Sequence, residues 1–380
     1  MDLSGLNVIV AGAAAAGCSA ALFLARGGAE VTLVERIAEP TAIGAGIAIA
    51  ENGIAVLDSL GLGPALAAGR PVIGARIVDA GGRTLLAPRG TSPRAVMIRR
   101  STLQAMLLGA VSKETRIHCR FGTELTAATT TGQVTLDGRE SMKFDLVVGA
   151  DGVHSRVRDG GNFGVTIRRG IRYVRMLVPA DVSTGTEAWT PAGLFGSFAV
   201  DGGTYAFASC GTAECRTALE RRDLDGFRST WKQAYPPSAR VFAGLSSFDE
   251  LLQNEVVKID GQRWFDGRLV LIGDAVHAMA PNLGQGANSA LVDASVLYQE
   301  LARSPSLPEA LAAWQRRRQP AVRRVARASA SLGALAEVTN PVGRLMRDRL
   351  LLPVASLFAS NRATAQLLQE SPDALRAVRS

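Results

Sequence analysis

The chain has 380 residues, 47% of them apolar and 20% charged, and a net charge of +8. That length suggests two to three domains with a real core, and that balance excludes a disordered chain. The basic excess is arginine, with only four lysines, and no basic patch interleaves with aromatics, so nucleic-acid binding is not indicated.

Residues 7–11 (NVIVA) form a continuous apolar run, the pattern of a strand buried on both faces of a parallel sheet. Residues 12–17 form a turn, and 18–26 an apolar helix stopped by Gly27 and Gly28. Residues 31–34 make a second strand with Glu35 at its tip, completing a βαβ unit. Residues 71–94 are expected to add strands to a sheet built mainly from 161–261. There, 173–178, 193–200 and 204–210 alternate in polarity, and Asp201, Gly202 and Gly203 mark a hairpin. Residues 144–150 (FDLVVGA) read as another buried strand, with Asp151 and Gly152 at its end. Residues 269–272 read as a third, delivering Gly273 and Asp274 to its tip before a Pro281/Gly284/Gly286 turn opens a helix. Arg316, Arg317 and Arg318, with Arg323, Arg324 and Arg327, read as a solvated helix face around Pro320. From about Ala321 the pattern is helical, broken at Pro341 and Pro353.

The fold class is therefore α/β. A Rossmann-like domain with a parallel sheet (1–70 with 95–160 and 262–330) carries an inserted, mostly antiparallel substrate sheet (71–94 with 161–261). C-terminal helices (331–380) follow. The first strand starts by Asn7, leaving no room for a signal peptide, and no apolar stretch reaches transmembrane length. The expectation is a soluble, cytoplasmic protein without a membrane span. Oligomeric state has no signature in the sequence.

Cys18, Cys119, Cys210 and Cys215 show no metal spacing; Cys18 and Cys119 are expected to be buried as small apolar residues. Three histidines do not make a multi-histidine metal site, and His277 reads as packed rather than as a base. Gly12-Ala-Ala14-Ala15-Ala16-Gly17 occupies the place of a GxGxxG fingerprint. Gly12 permits the tight turn, and Gly17 lets the helix approach the strand. Ala14 replaces the second glycine, with its methyl where a pyrophosphate oxygen would come. Glu35, 18 residues after Gly17, is placed for a ribose. Asp274 at a buried strand's end is placed to accept hydrogen bonds from sugar or ribityl hydroxyls. The following glycine turn offers backbone amides to a ring that gains negative charge.

The N-terminal fingerprint, DLVVGADGVHSRVR at 145–158 and GDAVHAMAPNLGQGANSALVDA at 273–294 together resemble the single-component FAD-dependent aromatic hydroxylases, the 4-hydroxybenzoate-hydroxylase-like flavin monooxygenases. The resemblance covers nearly the whole chain. It implies that Glu35 binds the adenosine ribose with Arg36 nearby, and that Gly44 and Gly46 of a GAGI segment run along the flavin. It implies that Arg100 reaches the ribityl–pyrophosphate region and that Leu125 meets adenine through its backbone. Asp151 and Gly152 would support the pyrophosphate indirectly and NAD(P)H binding. Asp274 would hold the ribityl chain, and Pro281, Gly284, Gly286, Ala287 and Asn288 would flank the isoalloxazine. No second GxGxxG follows and no WxWxIP segment exists, unlike two-dinucleotide monooxygenases and flavin halogenases.

The implied reaction is NAD(P)H-dependent reduction of FAD, then O2 activation as a flavin C4a-hydroperoxide that hydroxylates a small aromatic or heteroaromatic ring. An epoxidase or reductase of the same fold, and a non-catalytic flavin-binding protein, stay open as alternatives. Strand period two places Tyr205 with Phe207, and Tyr173 with Arg175 and Leu177. Arg175 suits a substrate carboxylate or phenolate, or else faces solvent beside Arg168, Arg169 and Arg172. Tyr205 is either pocket wall or sheet packing. No metal is expected.

Overall fold

The computed structural model describes residues 1–40, 46–73, 75–87, 94–353 and 367–378. Gly44 therefore lies outside the described residues. The N-terminal unit is β1 (Asn7–Ala11), α1 (Ala15–Arg26) and β2 (Glu30–Glu35), then β3 (Gly46–Ala50) and α2 (Glu51–Ser59). Next come β4 (Arg70–Pro71), β5 (Arg76–Asp79), β6 (Thr84–Leu86), β7 (Ala95–Arg99) and α3 (Arg100–Val111). The chain continues through β8 (Ile117–Phe121), β9 (Leu125–Ala128), β10 (Gln133–Leu136), β11 (Glu140–Lys143), β12 (Leu146–Gly149) and α4 (Arg156–Asp159). The inserted region holds β13 (Val165–Val178), β14 (Thr186–Thr190), β15 (Gly193–Val200) and β16 (Gly203–Ser209). It goes on with α5 (Ala213–Glu220), α6 (Leu224–Ala234), α7 (Ser238–Phe242) and β17 (Leu252–Gly261). β18 (Phe265–Asp266), β19 (Leu269–Leu271), α8 (Asp274–His277), α9 (Gly286–Arg303), α10 (Leu307–Ala336) and α11 (Pro341–Met346) close the described fold, with a last short helix at Pro372–Arg376.

A six-stranded sheet runs β18-β19-β12-β1-β2-β8, parallel except for the β18–β19 pair. Its central strands are apolar on both faces because α1 and α9 cover one side and other elements the opposite side; Val8, Ile9 and Val10 are fully buried. The second sheet runs β17-β13-β16-β15-β14-β5-β6, antiparallel except where β14 meets β5. One of its faces buries Val174, Met176, Phe195 and Ala206 against Trp231, Phe227 and Phe242. The alternate residues of the same strands face the first sheet.

Four local readings need correction. α1 begins at Ala15, three residues earlier than expected, because an alanine-rich turn propagates helix as readily as the apolar run does. α5, α6 and α7 interrupt a stretch read as sheet; their amphipathic faces cover the second core. α10 starts at Leu307 and runs through Pro320, so the C-terminal helical pattern begins well before Ala321, where it was expected. Cys119 is exposed, because β8 is the edge of its sheet and presents that residue outward. Among the described residues no helix is long and apolar enough to cross a membrane.

Candidate functional site

A cavity of about 1400 Å³ lies between the carboxyl ends of the parallel strands and the open face of the seven-stranded sheet. Pockets for a single drug-sized ligand span roughly 300–1,000 Å³, so this larger space admits a dinucleotide and a second molecule together.

One arm begins at the glycine-rich turn. Gly12 has φ +98°, and a Cβ there would come within 2.4 Å of the Ala150 carbonyl oxygen. A Cβ on Gly17 would stand 1.8 Å from the Gly12 carbonyl oxygen. Both glycines are thus demanded by backbone contact and shape the loop, while Ala14, Ala15 and Ala16 line the cavity. Ala14 is the exposed N-cap of α1, and no side chain caps that helix, so its first-turn amides are open to an anion. Glu35 braces the loop: Oε2 accepts from the Ala13 N–H at 3.0 Å and Oε1 from the Ile37 N–H at 3.1 Å. Gln104, buried on α3, donates to the Ala13 carbonyl at 2.5 Å.

Arg100 opens α3 and reaches the same cavity; burial, then the nearby Arg175, pull its pKa down, while Tyr205 and Asp274 oppose. Asp274 follows Gly273, whose φ of +60° turns the chain from β19 into α8, and it faces the cavity. Glu35, Arg100 and Asp274, distant in sequence, therefore share one crevice. Pro281, Gly284, Gly286 and Ala287 line it where α9 begins, and Gly284 is left-handed at φ +61°. Gly46 lines it too; a Cβ there would strike the Tyr205 ring at 2.6 Å.

Other expected residues are placed differently. Asn288 is fully buried and holds structure together: Oδ1 accepts from the Ala50 N–H, while Nδ2 donates to the Ala48 and Gly284 carbonyls. It clamps β3 to the α9 turn instead of facing the cavity. Leu125 is buried in β9 and does not line the cavity. Arg36 is exposed and outside the lining. Asp151 caps α4, its Oδ2 accepting from the Arg156 N–H at 2.7 Å and the Val157 N–H at 3.2 Å. Burial pushes its carboxyl pKa up against those bonds, and its neighbours Ala150 and Gly152 line the cavity while Asp151 itself does not.

The second arm is floored by the seven-stranded sheet. Arg175, Phe207, Gly196, Glu187 and Ile77 stand in register across five strands, on one face. Arg175 points inward with them, whereas Arg168, Arg169 and Arg172 are exposed, which resolves the two readings of Arg175 in favour of the cavity. Tyr205 serves both as wall and as packing: it lines the cavity and meets the Phe207 ring at 5.5 Å between centroids. Tyr173 lines the far end, its hydroxyl accepting from Asn282 Nδ2 at 3.4 Å.

Behind α8 lies a buried charged cluster that the sequence reading missed. Asp293 Oδ1 accepts from Arg318 Nε at 2.8 Å, and Oδ2 takes both the Gly273 N–H at 3.0 Å and His277 Nε2 at 2.5 Å. His277 is a packed residue, its ring 4.9 Å from that of Trp264. Arg318 has no exposure at all, contrary to a solvated arginine face; Arg324 of the same run lines the cavity. Among the described residues no His/Cys/Asp/Glu group suits a metal ion.

A family model described as an FAD binding domain matches residues 5–329. The chain is 31% identical over 370 residues to 2-heptyl-3-hydroxy-4(1H)-quinolone synthase of Pseudomonas aeruginosa (strain UCBPP-PA14), covering 92% of this chain and 95% of that protein. It is 29% identical over 395 residues to aurachin C monooxygenase/isomerase of Stigmatella aurantiaca, covering 97% and 99%. A crystal structure of a variant of 2-methyl-3-hydroxypyridine-5-carboxylic acid oxygenase matches with a TM-score of 0.78 at 26% identity, over 92% of this chain and 98% of that one.

Proposed function

The chain belongs to the FAD binding domain family, and from that membership we propose an FAD-dependent monooxygenase that consumes NAD(P)H and O2 to hydroxylate a small aromatic or heteroaromatic compound. The donor set suits FAD. The uncapped α1 amides at Ala14, Ala15 and Ala16 would receive the pyrophosphate, Glu35 the adenosine ribose, and Asp274 the ribityl chain. The turn from Pro281 to Ala287 would lie along the ring, held in place by Asn288 behind it. FAD, when bound, supplies the reduction of O2 and the transfer of one oxygen atom.

The chain's own work is placement and exclusion. Apolar side chains, among them Met97, Leu194, Phe198 and Met279, keep water from the space over the sheet. Arg175 and Arg100 offer positive charge to an anionic group or a polarised ring oxygen. This arm is mostly apolar, which favours a ring bearing an alkyl extension over a bare carboxylic acid. The relative named for a 2-heptyl quinolone supports that preference.

The observation that carries the proposal is the convergence of Glu35, Arg100 and Asp274, from three remote segments, on one cavity large enough for cofactor and substrate. The test is NAD(P)H oxidation and oxygen uptake by the purified protein over a panel of phenols, pyridine acids and 2-alkyl-4-quinolones, with peroxide counted separately. A yellow protein whose oxygen uptake is matched by hydroxylated product supports it. A colourless protein, or substrate-independent peroxide as the sole product, overturns it.

A further inference from the structure

Glu187 is a carboxylate in a wall that is otherwise mostly apolar. β14 pairs with β15 so that Glu187 stands opposite Gly196, and Gly196 stands opposite Phe207 on β16. Gly196 has no side chain to separate its neighbours, and a Cβ there would meet the Phe207 ring at 2.3 Å. The ring therefore lies over Gly196 and extends the cavity floor towards Glu187. On the other side Ile77 of β5 is the register partner of Glu187, and Leu194 completes the apolar surround. Two residues along the strand, the buried Trp189 donates its indole N–H to Glu187 Oε1 at 2.7 Å. That bond fixes one carboxylate oxygen. Among the described residues Oε2 has no hydrogen-bond partner, and Glu187 makes no ion pair.

We propose that Glu187 is a substrate-specificity residue, whose free oxygen accepts a hydrogen bond from a ring N–H or hydroxyl of a neutral heteroaromatic substrate lying on Phe207. The inference rests on the monooxygenase reading for the identity of the site's occupant, but not for the hydrogen bond itself. Arg175 occupies the opposite end of the same row, two strands beyond Gly196. At about 4.8 Å per strand, the backbones of Arg175 and Glu187 stand roughly 14 Å apart. A cation at one end and an acceptor at the other suit a ring carrying an acceptor oxygen and a donor N–H on opposite sides. A monocarboxylate with no donor leaves Glu187 unpaired, and an unpaired buried polar group is what makes such sites discriminate.

The protonation behaviour agrees with the geometry. Burial pushes the Glu187 carboxyl up to about 7, with Trp189 opposing and Glu337 adding to the rise. The groups around it are Tyr173 on β13, whose phenol burial also pushes up, Glu337 after α10, and the more distant Arg175. With Oε1 held by the Trp189 N–H, a proton taken up on Oε2 turns that oxygen into a donor, so acceptance from a ring N–H should strengthen as pH rises through about 7.

The test is isothermal titration of the purified holoprotein with 4(1H)-quinolone and with its 1-methyl analogue, from pH 5.5 to 8.5. The expected result at pH 8 is at least tenfold tighter binding of the N–H compound, shrinking below pH 7. In Glu187→Gln that preference should collapse to within about twofold, since the amide turns a donor to the cavity. Equal affinities in the native protein overturn the proposal whether or not the variant folds. So do failure of the N–H compound to bind and a preference that survives in Glu187→Gln. A preserved preference in a protein that hydroxylates nothing would instead overturn the monooxygenase reading and leave this one standing.

Discussion

Two residues whose surroundings disagree with their type make separable predictions. Ala14 stands where the fingerprint has a glycine, is the N-cap of α1, and presents its methyl to the cavity. Removing that methyl with Ala14→Gly lets the pyrophosphate approach the amides, so FAD should bind a few-fold tighter in a fluorescence titration of the apoprotein. Unchanged or weaker binding means the loop already accommodates the methyl. Glu187 concerns stability instead. Its folded-state pKa of about 7 lies above the ordinary carboxylate value, so the fold favours the neutral form. Stability from this group is thus greatest at acid pH and declines as pH rises towards and through about 7. Glu187→Gln, always neutral, should be more stable than the native protein by about 1–3 kcal/mol at pH 8 and nearly equal at pH 4, read by urea unfolding. A variant equally destabilised at both pH values would show that the Trp189 bond, not the charge, dominates.

At the scale of elements, the α8–α9–α10 junction depends on one buried charge cluster. Burial raises the Asp293 pKa, yet His277 and Arg318 more than offset this, and the carboxyl is held below its usual value. Its stabilising effect is therefore complete above the ordinary carboxylate range and lost as pH falls through the lowered value. Arg318→Met keeps apolar volume but strands Asp293, and should cost about 3–5 kcal/mol at pH 7. The loss should narrow near pH 4, where the stranded carboxyl takes up a proton in the variant alone. Equal stability at pH 7 in urea unfolding would show that His277 and the Gly273 amide suffice. Sequence reading missed this cluster for a definite reason. A run of arginines reports charge, not which turn of the helix meets a buried aspartate, so Arg318 was indistinguishable from its exposed neighbours. The same limit hid Glu187, because only pairing with β15 and β5 reveals which side of β14 faces the cavity. Strands β1, β12 and β19 were legible because burial on both faces writes a continuous apolar run. That Glu35 and Asp274 line the crevice was legible because the carboxyl ends of strands open onto it in open α/β sheets. Asn288 was found as important, but its task is to pin a turn, which spacing alone cannot distinguish from touching a ligand.

For the whole molecule, the cavity has no single owner: its walls come from the βαβ unit, from α3, from the β19–α9 turn and from the seven-stranded sheet. A ligand filling it contacts segments separated by more than two hundred residues of chain, so binding and folding are coupled. FAD at one hundred times its dissociation constant should add about 2.7 kcal/mol of stability, seen as a rise of a few degrees in the melting temperature. Asp274 is partly free of protein partners at the cavity wall, so Asp274→Ala leaves the apoprotein's core untouched while removing a charged acceptor for the ribityl chain. The variant is expected to purify without flavin, to melt within a degree or so of native apoprotein, and to lose most of the FAD-dependent rise. A variant that keeps full flavin and the full thermal shift would detach Asp274 from the cofactor. A variant whose apoprotein melts far lower would mean that the residue supports α8 itself. The two failures differ because only the cofactor role predicts an unchanged apoprotein, and that separation follows from the crevice lying between the two sheets rather than inside either core.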